Sequence, residues 1–129
     1  MKNIAEYFEK VQSYVADLQR VEIEKYDEQI LSEERGNLRI RIRFQNNSLL
    51  EISEAILIRK GRFIWLSYRY HYQNPDGSVI FRYDDTPHHP NVDTFPEHKH
   101  VGEKVVNAHR PGLKNVISEV KNHLTSENK

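Results

Sequence analysis

Ile4, Phe8, Val11, Val15 and Leu18 recur at helical spacing, with Glu6, Glu9, Lys10, Gln12 and Asp17 largely opposite. That pattern predicts one amphipathic helix over residues 2–19. From Val21 the period shortens, predicting a first strand through Ile30 and Leu31, interrupted near Asp27 and Glu28 and closed by a turn at Glu34, Arg35, Gly36 and Asn37. Leu38, Ile40, Ile42 and Phe44 then alternate without a break against Arg39, Arg41 and Arg43, so one face of this strand is apolar and the other is an arginine stripe. Asn46, Asn47 and Ser48 turn the chain into a third strand, Leu49 to Arg59, whose stretch from Ala55 to Ile58 is apolar on both faces and is expected at the centre of the sheet. After a turn at Lys60 and Gly61, Phe63 to Tyr72 and Ser78 to Tyr83 flank Asn74, Pro75, Asp76 and Gly77, a strong hairpin signal. Residues 84–111 carry Pro87, Pro90, Pro96 and Pro111 and are expected to form a loop too long to be a passive connector. Leu113, Val116, Ile117, Val120 and Leu124 restore helical spacing and predict a helix over 112–124, with 125–129 fraying. The expected fold is α+β in one domain, residues 1–129: a helix, a five-stranded, mainly antiparallel meander over 21–83, a His/Pro-rich functional loop over 84–111, and a second helix.

At 129 residues with 37% apolar side chains, the chain can build a core without staples. It has no cysteine, which excludes disulfides, thiolate catalysis and Cys-ligated zinc and fits a reducing compartment. No apolar run approaches the roughly 20 residues of a membrane span. Met1, Lys2 and Asn3 lead directly into the amphipathic pattern, so neither a signal peptide nor a membrane partner is expected, and the expected location is cytoplasmic. Net charge is zero but segregated: residues 1–34 hold 4 Lys/Arg against 9 Asp/Glu, whereas residues 35–73 hold 8 against 2. The middle of the chain is a basic island suited to a polyanion, or else a set of solvated strand positions that discourage edge pairing.

Five of the seven histidines lie between His71 and His100, among Arg69, Arg82, Tyr83, Asp84 and Asp85. On the predicted hairpin Tyr68, Tyr70 and Tyr72 share one face, read first as core packing with hydroxyls at the rim, while Arg69 and His71 share the other. An imidazole exchanges a proton near neutral pH, and a guanidinium grips phosphate oxygens through paired hydrogen bonds. Metal-independent RNA cleavage needs a base, an acid and a cation at the phosphate. The candidates for these roles are His71, His88, His89, Arg69, Arg82 and Tyr83, and the spacing leaves open which histidine is base and which acid. Arg39, Arg41, Arg43, Arg59 and Arg62, with His98 and His100, are expected to bind substrate. No cofactor is expected; the alternative is a divalent transition metal on Asp84, His88, His98 and His100, although no recognised ligand spacing is matched. A third reading has the histidines fixing a proline-rich loop against the sheet.

Tyr68 to Gln73 (YRYHYQ), the turn at Asp76 and Gly77, Ile80 to Asp84 (IFRYD), Pro87 to Pro90 (PHHP) and Thr94 to His100 (TFPEHKH) occur in an order that resembles the TumE family of toxin–antitoxin systems. The likeness is dense over about 68–102 and looser over the first helix and the strands before the motif. Asp85, Thr86 and Glu97 depart from it, standing where that family commonly has Asn, Ala and His. The resemblance implies a small prokaryotic toxin neutralised by a cognate antitoxin protein, without assigning catalytic residues. A helix followed by an antiparallel sheet bearing catalytic side chains also resembles the RelE and barnase group of ribonucleases, a likeness of fold alone.

The leading expectation is therefore a toxin that is a metal-independent endoribonuclease, losing cleavage when His71 or His88 is replaced by Ala. One alternative is a metal-dependent hydrolase or nucleotide-modifying enzyme using the His/Asp cluster. Another is a non-catalytic module whose basic island receives a protein partner, with the acidic segment Glu22 to Glu34 masking that surface in a homodimer.

Overall fold

The computed structural model describes residues 3–127. Helix α1 spans Ile4–Ala16 and opens on Asn3, whose Oδ1 accepts the Glu6 N–H at 2.9 Å and so satisfies one of the donors a helix start leaves open. It buries Ile4, Tyr7, Phe8 and Val11, of which the three hydrocarbon side chains are each worth about 1.5–3 kcal/mol of transfer free energy. The helix stops short of the expected residue 19, and residue 2 lies outside the described residues. Arg20, at φ 59°, turns the chain away, while Leu18 still packs against the core from beyond the helix.

Seven strands follow: β1 (Glu22–Ser32), β2 (Arg35–Arg43), β3 (Leu49–Arg59), β4 (Arg62–Gln73), β5 (Val79–Asp84), β6 (His98–Val101) and β7 (Lys104–Asn107). They form one sheet in sequence order, each antiparallel to the next. The expected meander holds, but the count of five does not. The expected loop over 84–111 folds partly into the β6–β7 hairpin, turned at Gly102 with φ 59°, leaving 85–97 as irregular chain. β1 is not interrupted at Asp27 and Glu28, which pair with Arg39 and Leu38; its irregularities fall between Ile23 and Lys25 and between Ile30 and Ser32.

The first strand turn lies at Glu33 and Glu34, and Arg35, Gly36 and Asn37 belong to β2. Gly36 is there for packing: a Cβ on it would meet Ile4 Cγ2 at 2.6 Å, so its missing side chain lets α1 seat on the sheet. Helix α2 runs Leu113–Glu127, beyond the expected end at 124; residues 128 and 129 of the expected frayed tail lie outside the described residues. Among the described residues no helix is long and apolar enough to cross a membrane.

Residues directly paired across antiparallel strands point to the same face. Ile40, Ile52, Tyr70 and Tyr83 form one such row, and both helices pack on that face: Tyr7 of α1 meets Phe63 and Trp65 with ring centroids 5.4 and 5.6 Å apart, and His123 of α2 meets Tyr72 and Phe81 at 6.0 Å. The flanking rows face the other way. One reads Arg39, Ser53, Arg69, Asp84, His98 and the other Arg41, Glu51, His71, Arg82, His100. The open face of the sheet thus carries the arginines and histidines, while Tyr68, Tyr70 and Tyr72 are buried in the core as expected.

Candidate functional site

On this open face a depression of about 360 Å³ is lined by Arg69, Arg82, Asp84, Thr86, His88, His89, His98 and His100. The sheet supplies Arg69 from β4, Arg82 and Asp84 from β5 and His98 and His100 from β6, and the 85–97 segment carries the other histidines over them. Asp84 and His98 are almost fully buried. The Asp84 Oδ1 atom accepts the Thr86 N–H at 3.0 Å and lies 3.0 Å from His98 Nε2, while Oδ2 lies 3.9 Å from His100 Nε2. His98 Nδ1 is 2.9 Å from the Pro96 carbonyl, which only accepts, so that nitrogen carries a proton. Its Nε2 then faces a second pure acceptor, and a positive species, a proton or a cation, has to lie between them. Burial lowers the His100 pKa from the ordinary histidine value, against the pull of Asp84.

His71 sits at the same face but is only 4% exposed, with both ring nitrogens engaged. Arg82 Nε can only donate, and it lies 3.0 Å from Nδ1, so His71 accepts there and its Nε2–H donates to Gln73 Oε1 at 2.8 Å. This neutral ring orients the Arg82 guanidinium. Burial lowers the His71 pKa most, the Gln73 hydrogen bond and Glu51 act upward, and Arg82 and Arg69 lower it further. With the folded pKa below the unfolded value of about 6.5, the unfolded chain takes up the proton first as pH falls. This group therefore costs no stability above about pH 6.5 and progressively destabilises the fold below it. Urea midpoints between about pH 8 and pH 5.5 are expected to show that slope, and His71→Gln to flatten it. An unchanged slope in the variant would exclude His71 as its source.

The other sequence candidates are distributed unevenly. Tyr83 points to the helical face, where its hydroxyl donates to Glu119 at 2.6 Å, so it does not meet the histidines. His88 lines the depression and is exposed, whereas His89 turns inward: the ligand atoms of His89, His98 and His100 lie within 4.8 Å of one another. His89 thus stands where the sequence reading set His88 among the metal candidates. Arg43 and Arg41 are held by Glu24 of β1, at 3.0 and 2.8 Å, and in that order lower its carboxyl pKa. The acidic first third therefore masks part of the arginine stripe within one chain. Arg39 makes no ion pair among the described residues and lines two further depressions of about 580 and 280 Å³, the second sharing Arg69 with the histidine cleft. Arg59 and Arg62 pair at the far end of the β3–β4 hairpin. At about 3.3 Å per residue, the seven positions from Arg62 to Arg69 put them roughly 20 Å from the cleft.

A second group of residues was not singled out by the sequence pattern. Glu54 is 2% exposed and accepts hydrogen bonds from Tyr7 at 2.7 Å, from Tyr70, and from Arg110 Nη2 at 3.0 Å. The Arg110 guanidinium lies 3.3 Å over the Trp65 ring and also donates to Tyr70 Oη at 2.8 Å. Glu97, just before β6, accepts from the Tyr68 hydroxyl at 3.0 Å and the Arg110 N–H at 2.7 Å. Both ends of the β6–β7 hairpin, and so the placement of His98 and His100, are tied to the core by these bonds. A lone carboxylate at an inward position between Ile52 and Ile56 is the signal in the sequence that leads to them.

A family model described as "Toxin TumE" matches residues 11–127 of the chain. No curated protein and no solved structure matches it.

Proposed function

Because the chain belongs to the TumE toxin family, we propose that it is the toxin of a toxin–antitoxin pair and that its open-face cleft cleaves RNA. The observation that carries this reading is the meeting of two guanidiniums, Arg69 and Arg82, with Asp84, His89, His98 and His100 in one depression. Guanidiniums bind phosphate oxygens and stabilise the charge that grows on them during displacement at phosphorus, and His71 holds that of Arg82 in place. In the proposed reaction the ribose 2′-hydroxyl attacks the adjoining phosphorus. The O2′–P bond forms and the P–O5′ bond breaks. The hydroxyl proton passes to an acceptor at the His/Asp cluster, and the departing 5′ oxygen takes up a proton there.

The depressions beyond Arg69 run over Ser53, Ala55 and Ser67, small side chains that leave room for a strand of RNA, with Arg39 beside them. Such contacts weaken with salt. Membership of a toxin family implies a cognate antitoxin as partner, and the proposed target places the activity in the prokaryotic cytoplasm.

Purified protein, as isolated and after loading with zinc, is to be incubated with total cellular RNA beside an Arg69→Ala variant. The expected result is fragments ending in 2′,3′-cyclic phosphates and 5′-hydroxyls, formed at least about tenfold more slowly by the variant. RNA left intact by the parent in both states would overturn the reading.

A further inference from the structure

We propose that His89, His98 and His100, together with Asp84, bind one divalent transition-metal ion, with zinc the simplest fit to the donor set. The mechanistic consequence of this site rests on the RNA-cleaving reading, but the binding itself belongs to the free protein and is measured without RNA.

Three separate observations converge. The first is placement. His98 and His100 are two residues apart on β6 and so share a face, and the 85–97 segment brings His89 against both, with ring centroids 4.8 and 5.2 Å away. Neither the His89 nor the His100 imidazole makes a hydrogen bond among the described residues, and beyond the 3.9 Å approach of His100 to Asp84 their polar nitrogens face one another.

The second is orientation. His98 gives its Nδ1 proton to the Pro96 carbonyl and aims Nε2 into the cluster, 3.0 Å from a buried carboxylate oxygen. A backbone carbonyl holding the far nitrogen is how ligating histidines are commonly fixed. A second proton on His98 would satisfy that ring and Asp84, yet it would leave the His89 imidazole, turned in against the other two, without a polar partner among the described residues.

The third is spacing. Four donors at about 2.0–2.1 Å around zinc lie roughly 3.4 Å from one another. Asp84 Oδ1 lies 3.0 Å from His98 Nε2 and its Oδ2 3.9 Å from His100 Nε2, so each oxygen stands near that spacing from one imidazole. The imidazole donors, within 4.8 Å of each other, reach it through small side-chain rotations, chiefly of His89 on its irregular segment.

Three imidazoles and one carboxylate suit zinc or a neighbouring first-row ion, whereas calcium and magnesium prefer oxygen shells. Arg69 and Arg82 beside the cluster oppose a cation, and Asp84 offsets part of that repulsion. Once an RNA phosphate is present, the ion and both guanidiniums act on the same anion. In the RNA reading the ion, expanding to five-coordinate, would also hold a hydroxide that takes the 2′-hydroxyl proton, with the imidazoles serving as ligands.

The experiment is a zinc titration of the full chain, stripped of metal beforehand, against a chromophoric competitor. One equivalent per chain is expected. His89→Ala and His100→Ala, each checked for folding by circular dichroism, are expected to bind at least about 100-fold more weakly, exceeding the usual loss from an outer-shell change. His123→Gln, on the helical face, is expected to bind like the parent. Cobalt(II) in place of zinc is expected to show the intense visible bands of a four-coordinate ion in the parent and in His123→Gln, and to lose them in His89→Ala and His100→Ala. Well under one equivalent in the parent, or unchanged binding in the doubly substituted His89→Ala, His100→Ala chain, overturns the site. Zinc bound with RNA left intact upholds the site and overturns the RNA reading; RNA cut by a chain that takes up no zinc does the reverse.

Discussion

The Arg110→Met variant is expected to lose about 3–5 kcal/mol of folding stability, read from urea midpoints at constant slope. Arg110 is the cation that faces Glu54, and Glu54 lies in the floor of the core beneath α1. Methionine fills much of the same space but leaves a buried carboxylate with two tyrosine hydroxyls and no counter-charge. It also gives up the contact of the guanidinium with the Trp65 face, worth about 0.5–2 kcal/mol. The loss is a large share of the roughly 5–15 kcal/mol that holds a typical domain. Adding Glu54→Gln to the same chain is expected to recover much of it, because the uncompensated charge disappears while the tyrosines keep a hydrogen-bond partner. A single variant within about 1 kcal/mol of the parent would show that the pair is not the buried anchor described above. Methionine keeps the N–H that Glu97 accepts but loses the side-chain bonds to Tyr70 and Glu54 that anchor the chain leaving the β6–β7 hairpin, so the same variant is expected to loosen that hairpin, with amide exchange rising in β6 and β7 before it rises in β3.

Replacing Arg82 with Ala is expected to slow the proposed RNA cleavage by about 10²–10³-fold, equivalent to about 2.7–4 kcal/mol of transition-state stabilisation. The fold is expected to survive, since this side chain is half-buried at the open face rather than in the core. Arg82→Lys is expected to restore little. Arg82 donates through Nε to His71 while its terminal nitrogens remain for phosphate, and an ammonium has no planar fork with which to do both. The measurement is kcat/KM on a short RNA, and an Arg82→Ala value within about threefold of the parent would remove this residue from the chemistry. His71 enters this prediction as the positioning residue for Arg82, a different role from the base or acid expected of it in the sequence.

The elements with strong periodic patterns were legible: both helices, and the strands from β2 to β5, whose apolar positions alternate against polar ones. The β6–β7 hairpin was not, because its two strands of four residues carry only Val101, Val105 and Val106 as apolar side chains and lie among breakers. Gly102 and Glu103 between them were a turn signal that four-residue strands are too short to reinforce. Gly36 was read as a turn because glycine most often marks one; its place under Ile4 depends on how closely the helix sits, which no local pattern states. In the cluster, the histidines were visible as a density along the chain, while the choice of His89 over His88 follows from the direction each side chain takes on an irregular segment.

By itself the sequence determined the class of fold, the arginine-and-histidine character of one face of the sheet, and membership of the toxin family, because alternation and ordered motifs are local and survive in one dimension. Only the tertiary structure decided which of those groups meet. Register across three strands aligns Arg69 with Asp84 and His98, and Arg82 between His71 and His100. That register depends on the summed pairing of whole strands. Likewise, Glu54 and Arg110 are 56 residues apart, and their pairing exists only because burying the carboxylate without a cation would cost more than bringing the chain back to supply one.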